Sequence, residues 1–241
     1  MANDNGRQAG PRCIALVGPF ASGKTSLLEA ILMRTGAITR QGHARDGNMV
    51  GDASPEARSN GMSVELNVAE TEFMGDRYTF IDCPGSVEFQ YESLPVLAGV
   101  DMAVVVAEAA PKKVPALQLI LRDLEARRLP HIVFLNKIDK LSGSVRDILA
   151  MLQPASRAPL VLRQLPMTRG GIVTGCIDLA LERALVYHEA RESEIVALPD
   201  GEKAAEVEAR TAMLEQIADF DDVLMEQLLE DVAPEKSLIF K

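Results

Sequence analysis

No apolar run in the 241 residues approaches the roughly 18 to 20 that span a bilayer, and the start, MANDNGRQAGPRC, has no apolar stretch of the signal-peptide kind. A cytoplasmic protein without a membrane partner is therefore expected. Cysteine is scarce: Cys13, Cys83 and Cys176 are an odd number without metal-type spacing, which argues against a disulfide framework or a zinc site and for buried free thiols. Basic residues are in deficit too, with 25 Lys and Arg against 35 Asp and Glu, a net charge of −10. That balance disfavours sequence-specific DNA binding. The deficit is local, however, because His188 to Lys236 holds fifteen acids and four bases while the rest is close to neutral. Such a stretch reads as solvated helix faces or, more sharply, as a docking surface for a basic partner.

What is present is an alternation of short apolar runs and helical patterns. CIALVG (13–18) reads as a strand, and SGKTSLLEAILMRTG as a helix with Leu27, Leu28, Ile31 and Leu32 on one side and Gly36 as its stop. SVELNVAETEF (63–73) alternates like a half-exposed strand and leads through MGD into RYTFID (77–82). DMAVVVAE (101–108), a helix over VPALQLILRDLEARR, and HIVFLN (131–136) follow. Short, fully apolar strands separated by helices predict an α/β fold with a mainly parallel sheet covered by helices on both faces. Ligands in such sheets sit at the carboxyl ends of the strands.

Three motifs fall at those ends. GPFASGKT, Gly18 to Thr25, fits G-x-x-x-x-G-K-S/T between a strand and a helix. Loop N–H groups of Gly18, Ala21, Ser22, Gly23 and Ser26 and the helix start are expected to wrap phosphates, with Lys24 on the terminal phosphates and the Thr25 hydroxyl on Mg²⁺. FIDCPG places Asp82 where nucleotide hydrolases hold Mg²⁺, and Gly85 where a backbone N–H can meet a terminal phosphate. FLNKID supplies Asn136 to brace the loop, Lys137 to cover the base, and Asp139 to accept two hydrogen bonds from guanine's N1–H and 2-amino group, which adenine lacks. GTP or GDP with Mg²⁺ is the expected ligand. Between the first helix and Ser63 lie 27 residues without a clear period, Gly36 to Met62, which read as a switch segment with Ser63 as a candidate metal hydroxyl.

These stretches together resemble the translational GTPases, most closely those of the elongation factor G type. The resemblance extends through HARDGNMVGDASPEARSNGMSVEL to VLRQLPM, GGIVTGCIDLALERALVYHE and DFDDVLMEQLLED. It implies a P-loop sheet domain over 1–153 and a small α+β inserted subdomain over 154–241, the chain ending at PEKSLIFK before the last strand of that sheet. It also implies a GTPase that works on the ribosome, its acidic helices facing the basic ribosomal stalk protein. Where the family usually has a water-positioning histidine this chain has Ser86, and Ala21 and Ser63 stand for a frequent aspartate and the metal-binding threonine. Binding residues are kept while hydrolytic ones change, so either a slow GTPase or a non-hydrolysing GTP-binding switch is expected.

Overall fold

In the computed structural model, which describes residues 12–51, 54, 63–86, 90–140, 143–188, 191–230 and 232–240, the chain forms two compact units, Met1–Lys137 and Ile138–Lys241. The first is built on five strands: β1 (Arg12–Val17), β2 (Asn67–Phe73), β3 (Asp76–Asp82), β4 (Met102–Glu108) and β5 (His131–Asn136). Their order is β2-β3-β1-β4-β5, with β2 antiparallel to β3 and all other pairs parallel. Helices α1 (Lys24–Thr35), α2 (Gln90–Val96) and α3 (Val114–Ala126) fill the connections.

The apolar strands β1 and β4 are buried because both faces of the sheet are covered there, whereas β5, expected to be equally covered, lies at the edge of the sheet and leaves Ile132 and Phe134 exposed on one face. Ile14 and Leu16 on one face pack with Leu28 and Leu32 of α1, together with Ala69 and Phe80. The alternate residues Ala15, Val17, Ala103 and Val105 are buried as well, and α3, with Leu117, Leu121 and Leu124 inward, lies against β4. Strand β2 starts at Asn67 rather than Ser63, four residues later than the alternation suggested. Here side-chain bonds override the strand pattern: Ser63 turns to Thr25, and the Asn67 amide donates to the Gly51 carbonyl. Part of the long segment before it, 52–53 and 55–62, lies outside the described residues.

The second unit opens with a short turn, Ile138–Lys140, and α4 (Val145–Leu152), whose Ser144 and Asp147 form a reciprocal capping box. A four-stranded antiparallel sheet follows, β6 (Gln164–Arg169), β7 (Ile172–Asp178), β8 (Arg183–Val186) and β9 (Glu194–Val196), paired in chain order. Helices α5 (Lys203–Ala218), α6 (Asp222–Leu229) and α7 (Lys236–Ile239) complete it. Met213 and Leu214 of α5 pack on Met167, Ile177, Leu179 and Ala184, which closes this core. Cys83 and Cys176 are buried free thiols, as expected, whereas Cys13 is free but only half-buried. Among the described residues no helix is long and apolar enough to cross a membrane.

The acidic stretch is not uniformly solvated. Glu206 of α5 is only 6% exposed, its Oε1 has no hydrogen-bond partner among the described residues, and its neighbours include Glu182 and Arg210. Burial, with help from Glu182, raises its carboxyl pKa above the ordinary glutamate value against the opposing pull of Arg210. A raised carboxyl contributes stability that is full below the unfolded pKa and is lost as pH rises through the folded pKa. Glu206→Gln should therefore raise the melting temperature near neutral pH and lose that gain in acid. A thermal melt series across pH reads this directly, and an equal shift at every pH would refute the ionisation account.

Candidate nucleotide site

Strand β1 ends at Val17 and α1 begins at Lys24, so the Gly-rich loop joins them at the carboxyl edge of the sheet. The N-cap, Gly23, has φ 98° and brings no side chain to the first turn, which also lacks an acidic residue. The first N–H groups of α1 are thus available to an anion, with the helix dipole behind them. Ser22 is fully buried with its Oγ unpartnered among the described residues, whereas Ala21 and Ser26 are exposed. Lys24 is 6% exposed, and its Nζ donates to the carbonyls of Gly18 at 3.1 Å and Pro19 at 3.3 Å. Burial pushes its pKa below the usual lysine range, while the Asp82 carboxylate pulls the other way. Gly85 closes over this ammonium: a Cβ there would overlap Lys24 Nζ and come within 3.0 Å of the Gly18 and Pro19 carbonyls.

The three expected metal residues meet. Thr25 Oγ1 donates to Asp82 Oδ2 at 2.7 Å and lies 3.1 Å from Ser63 Oγ, and Asp82 is fully buried at the end of β3. Two hydroxyls and a carboxylate form an all-oxygen donor set, the chemistry that Mg²⁺ selects and usually completes with water and phosphate oxygens. These residues fit that ion. Ser86, half-buried, lines a cleft with Val17, Pro84, Leu94, Leu97 and Leu119 beside the loop.

On the base side, Asn136 Nδ2 donates to the Ser22 carbonyl at 2.9 Å, which is the bracing the motif suggested. The Lys137 Nζ donates to the Ala21 carbonyl at 2.6 Å and pairs with Glu108 at 2.8 Å, so its stem crosses from the end of β5 to the loop. Asp139 lies on the Ile138–Lys140 turn, exposed, at the start of the second unit.

The sequence reading missed one group. Glu108, at the end of β4, pairs with both Lys137 and Lys113, and Lys113 Nζ donates to the Phe20 carbonyl at 2.7 Å. Two ammonium groups therefore hold the outer turn of the loop, and they hold Glu108 below its usual pKa although its burial alone would raise it. A carboxylate ending an otherwise apolar strand was the available signal, at the same sheet edge as the three motifs.

A β2-β3-β1-β4-β5 sheet with a phosphate-type loop after β1, a buried Asp after β3 and Asn-Lys-x-Asp after β5 defines the P-loop GTPase class. Within that class the chain belongs to the elongation factor Tu GTP-binding domain family, whose model matches residues 11–230. It is 42% identical over 228 residues to an elongation factor G-like protein from Synechocystis sp., covering 95% of this chain and 34% of that protein. A mitochondrial ribosome-releasing factor 2 from Danio rerio is 30% identical over 228 residues, covering 90% of this chain and 30% of that protein. A crystal structure of a protein from Thermus thermophilus superposes with a TM-score of 0.82 at 31% identity, over 95% of this chain and 34% of that one. The chain thus spans about a third of the length of the curated relatives it matches.

Proposed function

We propose that this chain is the GTP-binding and hydrolysing module of an elongation factor G-like cytoplasmic factor acting on the ribosome. The observation that carries this reading is the meeting of Thr25, Ser63 and Asp82 next to the buried ammonium of Lys24. Lys24 would turn from the loop carbonyls to the terminal phosphates, and Gly85 would offer its N–H to the same group. Thr25, Ser63 and Asp82 would hold Mg²⁺, which when bound neutralises charge on the phosphate oxygens. The loop residues Gly18, Ala21, Ser22, Gly23 and Ser26 would enclose the phosphates, and Asn136, Lys137 and Asp139 would select guanine. In this reading 1–153 is the GTP-binding domain and 154–241 the inserted subdomain. It is supported by the β6–β9 sheet and α5–α7, which all follow residue 154, although α4 groups with the second compact unit.

Hydrolysis is slow in this proposal because the Ser86 hydroxyl has no basicity near neutral pH with which to orient and deprotonate water. The same residue favours a second reading, a GTP-binding switch that does not hydrolyse. Single-turnover GTP hydrolysis by the full-length factor, with and without ribosomes, separates the two. Stimulation by ribosomes supports the slow GTPase; GTP retained intact through the assay supports the switch. A basic partner such as the stalk protein would meet the exposed Glu215 and Asp222, while the buried Glu206 is unavailable to it. Ribosome association should accordingly weaken as salt rises, and salt-independent binding would leave these carboxylates as solvated surface.

A further inference from the structure

Glu29 lies on α1, one turn beyond Thr25, and is 1% exposed in the core of the first unit. Its carboxylate is not paired with a cation in any contact described. Instead, one oxygen accepts the backbone N–H of Gly42 at 2.9 Å and the other accepts that of Val50. Both donors belong to the segment that follows α1, and they bracket a small closed turn. Within it the His43 N–H donates to Asn48 Oδ1 at 2.8 Å, and Met49 is buried. The turn is tight at its start, where a Cβ on Gly42 would lie 2.6 Å from the Asn48 carbonyl oxygen and 2.8 Å from Met49 Cα.

The next residue carries the consequence. Gly51 sits so close to the Thr25–Asp82 pair that a Cβ would come within 2.5 Å of Thr25 Cγ2 and 3.3 Å of Asp82 Oδ2. The Gly51 carbonyl in turn accepts from Asn67 at the start of β2. A single buried carboxylate therefore fixes both ends of the 42–50 turn onto the helix that bears Thr25, and the chain leaves that turn directly onto the proposed metal pair.

We infer that Glu29 is a positioning residue that clips segment 42–51 onto α1 and thereby sets how readily the Thr25–Asp82 pair is closed over Mg²⁺ and nucleotide. The coupling half of this inference rests on the metal reading of Thr25 and Asp82; the clip itself does not. A carboxylate whose two oxygens each accept a backbone N–H is a strong tether, and an amide of the same size has only one oxygen to offer in place of the two. Removing it leaves the buried Gly42 N–H and the part-buried Val50 N–H without their acceptor, so the segment should open to find water.

Two measurements on the full chain decide the matter. In nucleotide-free protein, Glu29→Ala should raise amide hydrogen exchange at Gly42 and Val50 by roughly tenfold to a hundredfold, the range for hydrogen bonds to a charged group. Glu29→Gln preserves the side chain's size and serves if the alanine variant fails to fold; its amide can accept one of the two bonds and should raise exchange at one site more than the other. Gly42→Ala, which spoils the turn from the opposite side, should add little to either variant. In the second measurement, release of a fluorescent GDP is followed during Mg²⁺ titration, and the Mg²⁺ midpoint should rise several-fold in the Glu29 variants. Protection of Gly42 and Val50 equal to wild type would overturn the clip. Lost protection with an unmoved Mg²⁺ midpoint would overturn the coupling and leave Glu29 a packing residue. Release that ignores Mg²⁺ in wild type would defeat the metal reading, and the coupling with it, while the exchange result still judges the clip.

Discussion

Ser86→His is expected to raise ribosome-stimulated GTP turnover by roughly 10³-fold, the low end of the gain seen when a missing catalytic group completes a phosphoryl-transfer site. The side chain lines a cleft with Gly18, Pro19 and Gly85, and in the proposed mechanism an imidazole there acts on the attacking water rather than on the bound phosphates. GTP affinity should stay close to wild type because Lys24 and the Thr25–Asp82 pair are untouched. Ala21 and Ser63 hold the gain to the low end, since they also depart from the residues usual in the family. Parallel single-turnover and equilibrium-binding measurements check both halves. If wild type already turns over at the rate of Ser86→His, another group supplies the water contact and the slow-hydrolysis proposal is wrong.

The second large effect concerns base choice. In the proposed guanine site, Asp139→Asn would replace a two-bond acceptor by a group that presents an amide donor to guanine's own donors. A site built around such bonds rejects a ligand lacking the match by about 10⁴, so GTP binding should fall by a comparable factor and its preference over ATP should vanish. Competition binding with GTP and ATP gives the result. Equal affinity of wild-type protein for the two nucleotides would remove the guanine assignment altogether.

The features legible in the sequence were those carried by local pattern at strand ends. Lys24, Thr25, Asp82 and Asn136 could be placed because each follows an apolar strand, and parallel strands bring their carboxyl ends to one edge whatever the intervening lengths. Ser63 could be named but not its reason for leaving the strand, because its hydroxyl partner is 38 residues away. Glu29 reads as one more polar position between Leu28 and Ile31. Its burial comes from a loop with no period of its own, so no window of α1 announces it. Glu108 and Lys113 join across a turn and then reach Phe20, 93 residues from Lys113, a relation that only the folded sheet supplies. The burial of Glu206 is hidden in the sequence for the converse reason. An acidic helix looks uniformly wet in sequence, yet the inward face of α5 also carries Met213 and Leu214, and Glu206 lies with them out of solvent.

The bonds from Asn136 to the Ser22 carbonyl and from Lys137 to the Ala21 carbonyl join the end of β5 to the loop after β1, over the top of the intervening β4. On the proposed assignment, the phosphate half and the start of the base half are thereby tied together before any ligand arrives. Conformational entropy that a loose pair of loops would lose on binding has already been lost on folding, so more of the contact energy with a nucleotide remains as affinity. Cutting either bond should consequently weaken GTP and GDP by the same factor, a loss of stiffness felt by both nucleotides alike and distinct from any loss at the γ-phosphate.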